Sequence, residues 1–596
     1  MNYEDIFDTE IWQLYAKGQD YHRITGIYTD TDRNYRMYNG DQWGGAKLGG
    51  IEPVQKNFIK PIVKYKLSVI HDNLYRAVFS SMNYENKAFR GTAEKCCELL
   101  NGYIARLWEQ DKMDDKLREV TEDAAINDEG IFYIYWDAEK KRPVHEVVKK
   151  NDIYYGDENE EDIQAQPYIL IRKRMAVSNA IDLALNYGVD NDKLSFIIGD
   201  NATLEETGEA AKIEVDDRVT VVYKLYKRHG TVRFSVATRY VDIAEDEDTL
   251  LSLYPVAHMT WERKAGSARG EGEVRYLIPN QIEVNRTEMR RVLTVREQAY
   301  PMRVVDDSKV RNPEALDTVG GTIHTNGSPV DDVNKIIGTI TPAQMSTDVK
   351  ELQESLIQVT RDLAGAGDTA TGQVNPEAAS GRAILAVQQA SHAPMTAQKE
   401  KTKSIIEDVA KIDLEYLIVN SQDGIDMLEE VTDQNTGKET MQVVNVPQSV
   451  WEKLQATVKI EVTPKGVYDK FAQEQTLENL LMQGFFSAQR LPEFEAYVEA
   501  LDEDSVAPKQ KLEGILKRMK DEQRRIAMIE AQAQMMQQRA QNFLMGDPDG
   551  QAAQIADARA QLDAEAALEA EEAEYAEQEE ELDEETAEAE EETDEE

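Results

Sequence analysis

Residues Met345 to Gln373 read MSTDVKELQESLIQVTRDLAGAGDTATGQ, and this stretch decides the fold, because an apolar helical stripe in it runs straight into a series of helix breakers. Ser346 stands where an N-cap belongs. Val349, Leu352, Leu356, Val359 and Leu363 follow at alternating steps of three and four, as an amphipathic helix requires. The pattern stops at Gly365. From there to Pro376 the chain reads GAGDTATGQVNP, with neither helical nor strand period, and helical composition resumes from Ser380 to Gln422. The expectation is a polar loop presented between two stiff rods.

Immediately upstream, GSARGEGEVRYLIPNQIEVNRTEMRRVLTVREQAYP (Gly266 to Pro301) places Pro279 where the first turn of a helix accepts proline. Ile282, Asn285 or Arg286, Met289, Leu293 and Arg296 then recur at helical spacing, and Tyr300-Pro301 ends the run. Only some of these positions are apolar. Such a helix buries a narrow stripe and suits a ring or bundle better than a thick core. Between the two helices, Met302 to Thr341 is a small insertion with short strand candidates (MRVVDD, KIIGTI) and turn signals at Asn312-Pro313, Gly320-Gly321 and Asn326-Gly327.

Towards the N-terminus the reading is α+β without a repeating βα unit. Thr29 to Trp43 is polar and aromatic and ends in the turn signal Asn39-Gly40-Asp41, with a helix expected after it. Asn57 to Ser80 and Thr92 to Asn127 have helical composition. Gly130 to Trp136 and Pro167 to Arg172 are dense in aromatic and β-branched residues, as buried strands are, and Tyr254 to Trp261 reads as a further strand. The clearest hairpin is Arg218 to Arg228 with Thr231 to Val241, separated only by His229-Gly230.

Composition limits what this chain does. With 596 residues it has room for two to four domains. The only cysteines, Cys96 and Cys97, are adjacent in a helical run, so a disulfide framework is excluded and a reducing compartment is expected. No signal peptide and no run of about eighteen apolar residues occurs, so no membrane partner is expected. The net charge of −46 opposes a surface built to grip phosphates. About half of it lies between Asp547 and Glu596, where roughly two dozen acidic residues face only Arg559. That tail should be disordered, serving as an electrostatic repellent, a docking arm for a basic partner, or a solubiliser. Before it, Leu512, Leu516, Met519, Ile526, Ile529, Ala533 and Met536 give Lys509 to Ala540 a nearly heptad stripe.

Catalytic patterns are missing. GAGDTATG lacks the lysine of a phosphate-binding loop, the seven histidines form neither HExxH nor a zinc spacing, and carboxylate pairs in so acidic a chain carry no signal. No enzymatic activity, metal or cofactor is expected.

YNGDQW at Tyr38 to Trp43, NFIKPIVKYK from Asn57, GEGEVRYLIPNQIEVNRT from Gly270, AYP at Ala299, and the block from Met345 to Gln389 with its GAGD and NPEAASGRAILAV elements occur in an order that resembles the portal proteins of tailed bacteriophages. The resemblance spans about Asp20 to Asn420. It implies a ring of about twelve subunits at one capsid vertex, through which double-stranded DNA is packaged and later ejected. It also implies an order of parts: wing (1–265), first stem helix (266–300), small α/β clip (301–344), second stem helix (345–364), tunnel loop (365–379), long helix and wing closure (380–465) and helical crown (466–545), before the acidic tail (546–596). On this reading Asp368, Thr369, Thr371, Gln373 and Asn375 face the channel. Arg303, Asp306, Asp307, Lys309 and Arg311 of the clip dock the terminase large subunit and then the head-completion or tail adaptor protein. The implied partners also include the major capsid and scaffolding proteins, and DNA passes without sequence-specific binding. The implied location is the virion, reached from the host cytoplasm during assembly.

Two other function classes fit parts of the sequence. A cytoplasmic scaffold or adaptor that never touches DNA would use the heptad helix and the acidic tail, and a hydrolase would use the loop at Gly365.

Overall fold

The computed structural model describes residues 7–46, 53–82, 87–200, 218–299, 302–306, 308–318, 320–326, 336–340, 346–367, 393–420, 422, 424–432, 439–451, 453–454, 456–464, 515–520, 525, 529 and 533–536. The chain divides into two compact units, Met1–Tyr468 and Asp469–Glu596.

The first unit is α+β with antiparallel sheets. Thr9 caps helix α1 (Glu10–Thr25), and Gly26, at a φ of 76°, turns the chain into α2 (Ile27–Asn39), which ends at Gly40 with a φ of 98°. Most of the segment from Thr29 to Trp43 is therefore itself helix, and the next element after it is again a helix, as expected. Tyr28, Thr31, Met37 and Tyr38 lie on the buried face while Thr29 and Arg33 face solvent, so its mixed composition is a two-sided helix.

Helix α3 (Ile59–His71) covers only the first part of Asn57 to Ser80. The remainder is strand β1 (Asn73–Ser81), in which Tyr75, Ala77 and Phe79 are buried and Arg76 and Ser80 exposed, the period of two that marks a strand. The second helical stretch breaks at Asp111-Lys112, where Lys112 has a φ of 51°, into α4 (Lys87–Gln110) and α5 (Met113–Ile126). Cys96 and Cys97 are free and buried on α4, and burial raises both thiols, to about 12 and about 11.

Strand β2 (Glu129–Asp137) lies between β3 (Arg142–Val148) and β9 (Val256–Thr260) in a three-stranded sheet against α5. A five-stranded meander holds β4 (Ile153–Tyr155), β5 (Tyr168–Ala176), β6 (Arg218–Arg228), β7 (Thr231–Ala237) and β8 (Asp242–Asp248). Helices α6 (Val177–Asn186) and α7 (Asn191–Leu194) cover its apolar side through Ala180, Ala184 and Leu194. The β6–β7 hairpin turns at His229 and Gly230 with φ values of 56° and 90°, as a tight two-residue turn between right-twisted strands demands.

Helix α8 (Glu273–Ala299) leads to the short pair β10 (Arg303–Val305) and β11 (Ile337–Thr339), and α9 (Thr347–Leu363) returns from it. After residues 368–392, which lie outside the described residues, α10 (Thr396–Val419) crosses the core through Ile405, Ile406, Val409 and Ile412. The hairpin of β12 (Ile425–Thr432) and β13 (Glu439–Val446), the short α11 (Gln448–Trp451) and β14 (Ala456–Pro464) complete the unit. Strand β14 pairs antiparallel with β1, Tyr75 opposite Val462 and Phe79 opposite Val458, so the last strand of this unit pairs with its first.

In the second unit, residues 515–520, 525, 529 and 533–536 are helical, within the stretch where heptad spacing predicts a helix. The rest of the expected crown and the acidic tail lie outside the described residues.

Candidate functional site at the root and flanks of helix α8

Three of the sequence motifs quoted above meet in space at the root of α8. The amide of Gln281, fully buried, accepts from Phe58 N at 3.0 Å and donates to Lys56 O at 2.7 Å. Lys56 N donates to Asn285 Oδ1 at 3.1 Å, and Asn285 in turn donates to Gln42 Oε1 at 2.5 Å. Asn57 caps α3 by accepting from Ile59 N and donates to Tyr38 O at 2.9 Å. Thus YNGDQW, NFIK and NQIEVN form one hydrogen-bonded junction whose buried amides each find partners.

The glycines ahead of α8 have steric causes. A Cβ on Gly270 would lie 2.4 Å from Glu262 O, and one on Gly272 2.5 Å from Asn127 O, so only glycine lets this segment lie against β9 and the end of α5. Buried Arg269 pairs with Glu129 and, at 2.9 Å, with Glu158, and Glu273 holds Lys66 Nζ at 2.6 Å. The helix begins at Glu273, so residues 266–272 are a lead-in to it. Pro279 lies inside the helix instead of in its first turn. It is tolerated because Pro279 and Arg275, whose carbonyl loses its N–H partner, both face solvent.

Helices α8 and α9 meet through a polar seam. Asn280 donates to Thr360 Oγ1 at 2.9 Å, Gln353 donates to Glu288 Oε2 at 2.9 Å, and Arg291 donates to Gln353 Oε1 at 2.9 Å. Gln353 and Thr360 are the most buried residues of α9, at 2 % and 3 % exposure. Burial opposes ionisation of Glu288, but the hydrogen bond from Gln353 and the charges of Lys56 and Arg291 outweigh it and hold its carboxyl below the usual range.

Three of the five residues of the apolar stripe predicted on α9 face the other way. Ser346 caps the helix as expected, accepting from Asp348 N, and Ala364 and Gly365 end it, the latter at a φ of 73°. Yet Leu352, Val359 and Leu363 are 63 %, 48 % and 82 % exposed, and only Leu356 and Ile357 touch the core. On α8, Tyr276 and Val295 are likewise exposed, at 53 % and 63 %.

The residues expected to dock a partner between α8 and α9 are partly committed to their own fold. Strands β10 and β11 pair with each other, Val304 opposite Gly338, and Val310 bridges Thr325. Arg303 donates to Leu316 O, and Asp306 caps the next turn at Ser308 N and pairs with Lys309 at 2.9 Å. Arg311 is exposed, and Met302, Val304 and Ile340 expose apolar surface. Asp307 lies outside the described residues, as do Asp368, Thr369, Thr371, Gln373 and Asn375. The described chain ends before them at Ala366 and Gly367, both buried, with Ala366 N bonded to Arg361 O at 2.8 Å.

Helix α10, on the far side of those residues, is fastened by groups that sequence reading did not single out. Lys401 donates to Thr260 O at 2.9 Å, Glu415 accepts from Ser252 N and Leu253 N, and Tyr416 donates to Ile134 O. Asp413 is fully buried among Trp108 and His145. No signal in the sequence links these pairs, whose members lie far apart along the chain. Compared with known proteins, the sequence matches no family model and no curated protein.

Proposed function

We propose that this chain is the repeating subunit of a closed ring of about twelve copies whose bore passes double-stranded DNA, as the portal of a tailed-phage capsid does. The observation that carries the reading is the inverted polarity of α9. A helix that turns glutamine and threonine inward and leucine outward leaves apolar surface to be covered, and in a heterologous ring each copy covers the next. The stripe belongs to a helix pair rooted in the first unit rather than to the heptad segment, which favours the ring over a scaffold built on that segment.

The rest of the portal reading follows from position and charge. Residues 368–379 leave α9 from a pair of helices rooted in the core, so Asp368, Thr369, Thr371, Gln373 and Asn375 are assigned to the bore. The chain's charge of −46 repels phosphates at close range, within a Debye length of about 8 Å, so DNA is centred without being held. The clip is assigned to the terminase large subunit and the tail adaptor, with capsid and scaffolding proteins around the ring. Native mass spectrometry with negative-stain microscopy of the full chain tests it. Closed rings with a central hole are expected, and monomers alone at micromolar concentration sink the reading.

A further inference from the structure

We infer that neighbouring copies are joined by a charged ladder in which Arg286 and Arg290 on α8 of one copy meet Asp348 and Glu351 on α9 of the next. This rests on the ring reading above and adds the contact that sets its specificity.

The two arginines are 59 % and 66 % exposed, and both reach the same carboxylate, Glu283, at 3.8 and 3.5 Å. Two guanidinium groups sharing one carboxylate leave a surplus of positive charge on a face of a chain whose net charge is −46. Asp348 and Glu351 are exposed at the start of α9. At about 100° per residue they stand nearly half a turn from Gln353, the residue that faces α8, so they point away from their own chain's arginines. They border Leu352, 63 % exposed, so the same contact covers this end of the stripe beneath the aliphatic stems of the arginines.

Height along the bundle agrees. Gln353 lies level with Val284 and Glu288, to which it is hydrogen-bonded, so Arg286 and Arg290 stand level with the first turns of α9. Rotation about a ring axis preserves height along that axis, so with the helix pair set along it, as this proposal requires, the same residues are level between neighbours. The basic and acidic sets occupy different faces of the helix pair, which gives a head-to-tail contact and not a two-fold one. Each pair alone is weak because it is exposed, and closure repeats it around the ring.

The test uses the full chain in low salt, with ring fraction read by native mass spectrometry and folding by thermal melting. Arg286→Glu with Arg290→Glu, and separately Asp348→Arg with Glu351→Arg, should each melt like the wild type while lowering the ring fraction about tenfold or more through like-charge contacts. All four changes together should restore it. Rings undiminished by the arginine reversals overturn the ladder and leave the ring reading standing. Failure of the four-fold variant to recover overturns the pairing. A wild-type chain that never forms rings overturns both.

Discussion

Asp413, in the middle of α10, lies with Oδ1 2.9 Å from Nε2 of His145 on β3, a residue 268 positions earlier in the chain. The other ring nitrogen, Nδ1, is 2.9 Å from Asp111 Oδ2 at the junction of α4 and α5, and His145 and Asp413 have no exposed surface. Carboxylates at both nitrogens require N–H donors at both, so the imidazole is held as the cation. Burial works against that charge, but Asp413 and Asp111 outweigh it and raise the histidine to about 9. Arg142, 2.9 Å from Asp111, and Lys116 at 3.8 Å face the same cluster from β3 and α5, and Trp108 donates to Asp413 at 3.0 Å.

This cluster fixes a pH window. The histidine's value in the fold exceeds its ordinary 6.5, so its contribution is complete below about 6.5 and disappears as pH rises through about 9. Asp111 is held at about 2, against burial, by His145 and Lys116; its contribution is complete above 3.8 and is lost as pH falls through about 2. The melting temperature of the first unit should fall between pH 7 and 9.5. His145→Leu, which leaves two buried carboxylates facing one another, should lose about 3–5 kcal/mol in urea unfolding at pH 7 and show little of that alkaline slope. An unchanged slope in the variant would remove His145 as its cause.

At the seam between α8 and α9, Gln353→Ala removes the amide that satisfies Glu288 and Arg291 together. The cost should be about 1–3 kcal/mol and local, because partly buried charged groups lose a partner while the core under α3 and β2 is untouched. Hydrogen exchange should quicken across Thr347–Leu363 and stay slow in α10. Exchange that quickens equally in both helices would contradict the polar seam as the support of α9.

Within the proposed bore, Asp368→Lys with Gln373→Lys should leave melting and ring fraction nearly unchanged and slow DNA packaging, since each copy then offers two new cations to the phosphates. Added salt should ease the defect. A packaging rate equal to the wild type would take these residues out of the channel, and a salt-independent defect would make the loop's role mechanical.

On the proposed docking segment, Lys309→Glu with Arg311→Glu should weaken binding of the terminase proposed as partner while rings persist. Lys309 also pairs with Asp306, so Lys309→Glu sets two carboxylates side by side at an exposed turn, where solvent screening keeps the effect on folding small. Surface plasmon resonance against the motor reads the first effect and thermal melting the second. Unchanged motor binding moves the docking surface elsewhere.

What was legible in the sequence is what local chemistry decides. The cap at Ser346, the stop at Gly365 and the turn at His229-Gly230 each depend on residues within one turn of one another, and the structure has all three. Strand β1 is masked by helical composition because its alternation covers only a few residues and its partner, β14, lies at the opposite end of the unit. The outward face of α9 was invisible for a different reason. Periodicity locates an apolar stripe but not what covers it, and the inward face is chosen by Asn280 and Glu288 of another helix. Pairs such as His145 and Asp413 have no shared period, spacing or motif, so only tertiary structure brings them together.

The contrast between α9 and α10 has a mechanical side. One end of residues 368–392 is attached to a rod held chiefly by side-chain hydrogen bonds, with only Leu356 and Ile357 against the core, and water can replace such bonds one at a time. The other is attached to a rod pinned by Lys401, Asp413 and Glu415, with its apolar face in the core. A load applied to that segment therefore meets a compliant support on one side and a stiff one on the other. Displacement is taken up at α9, and the sheets that α10 spans keep their registration.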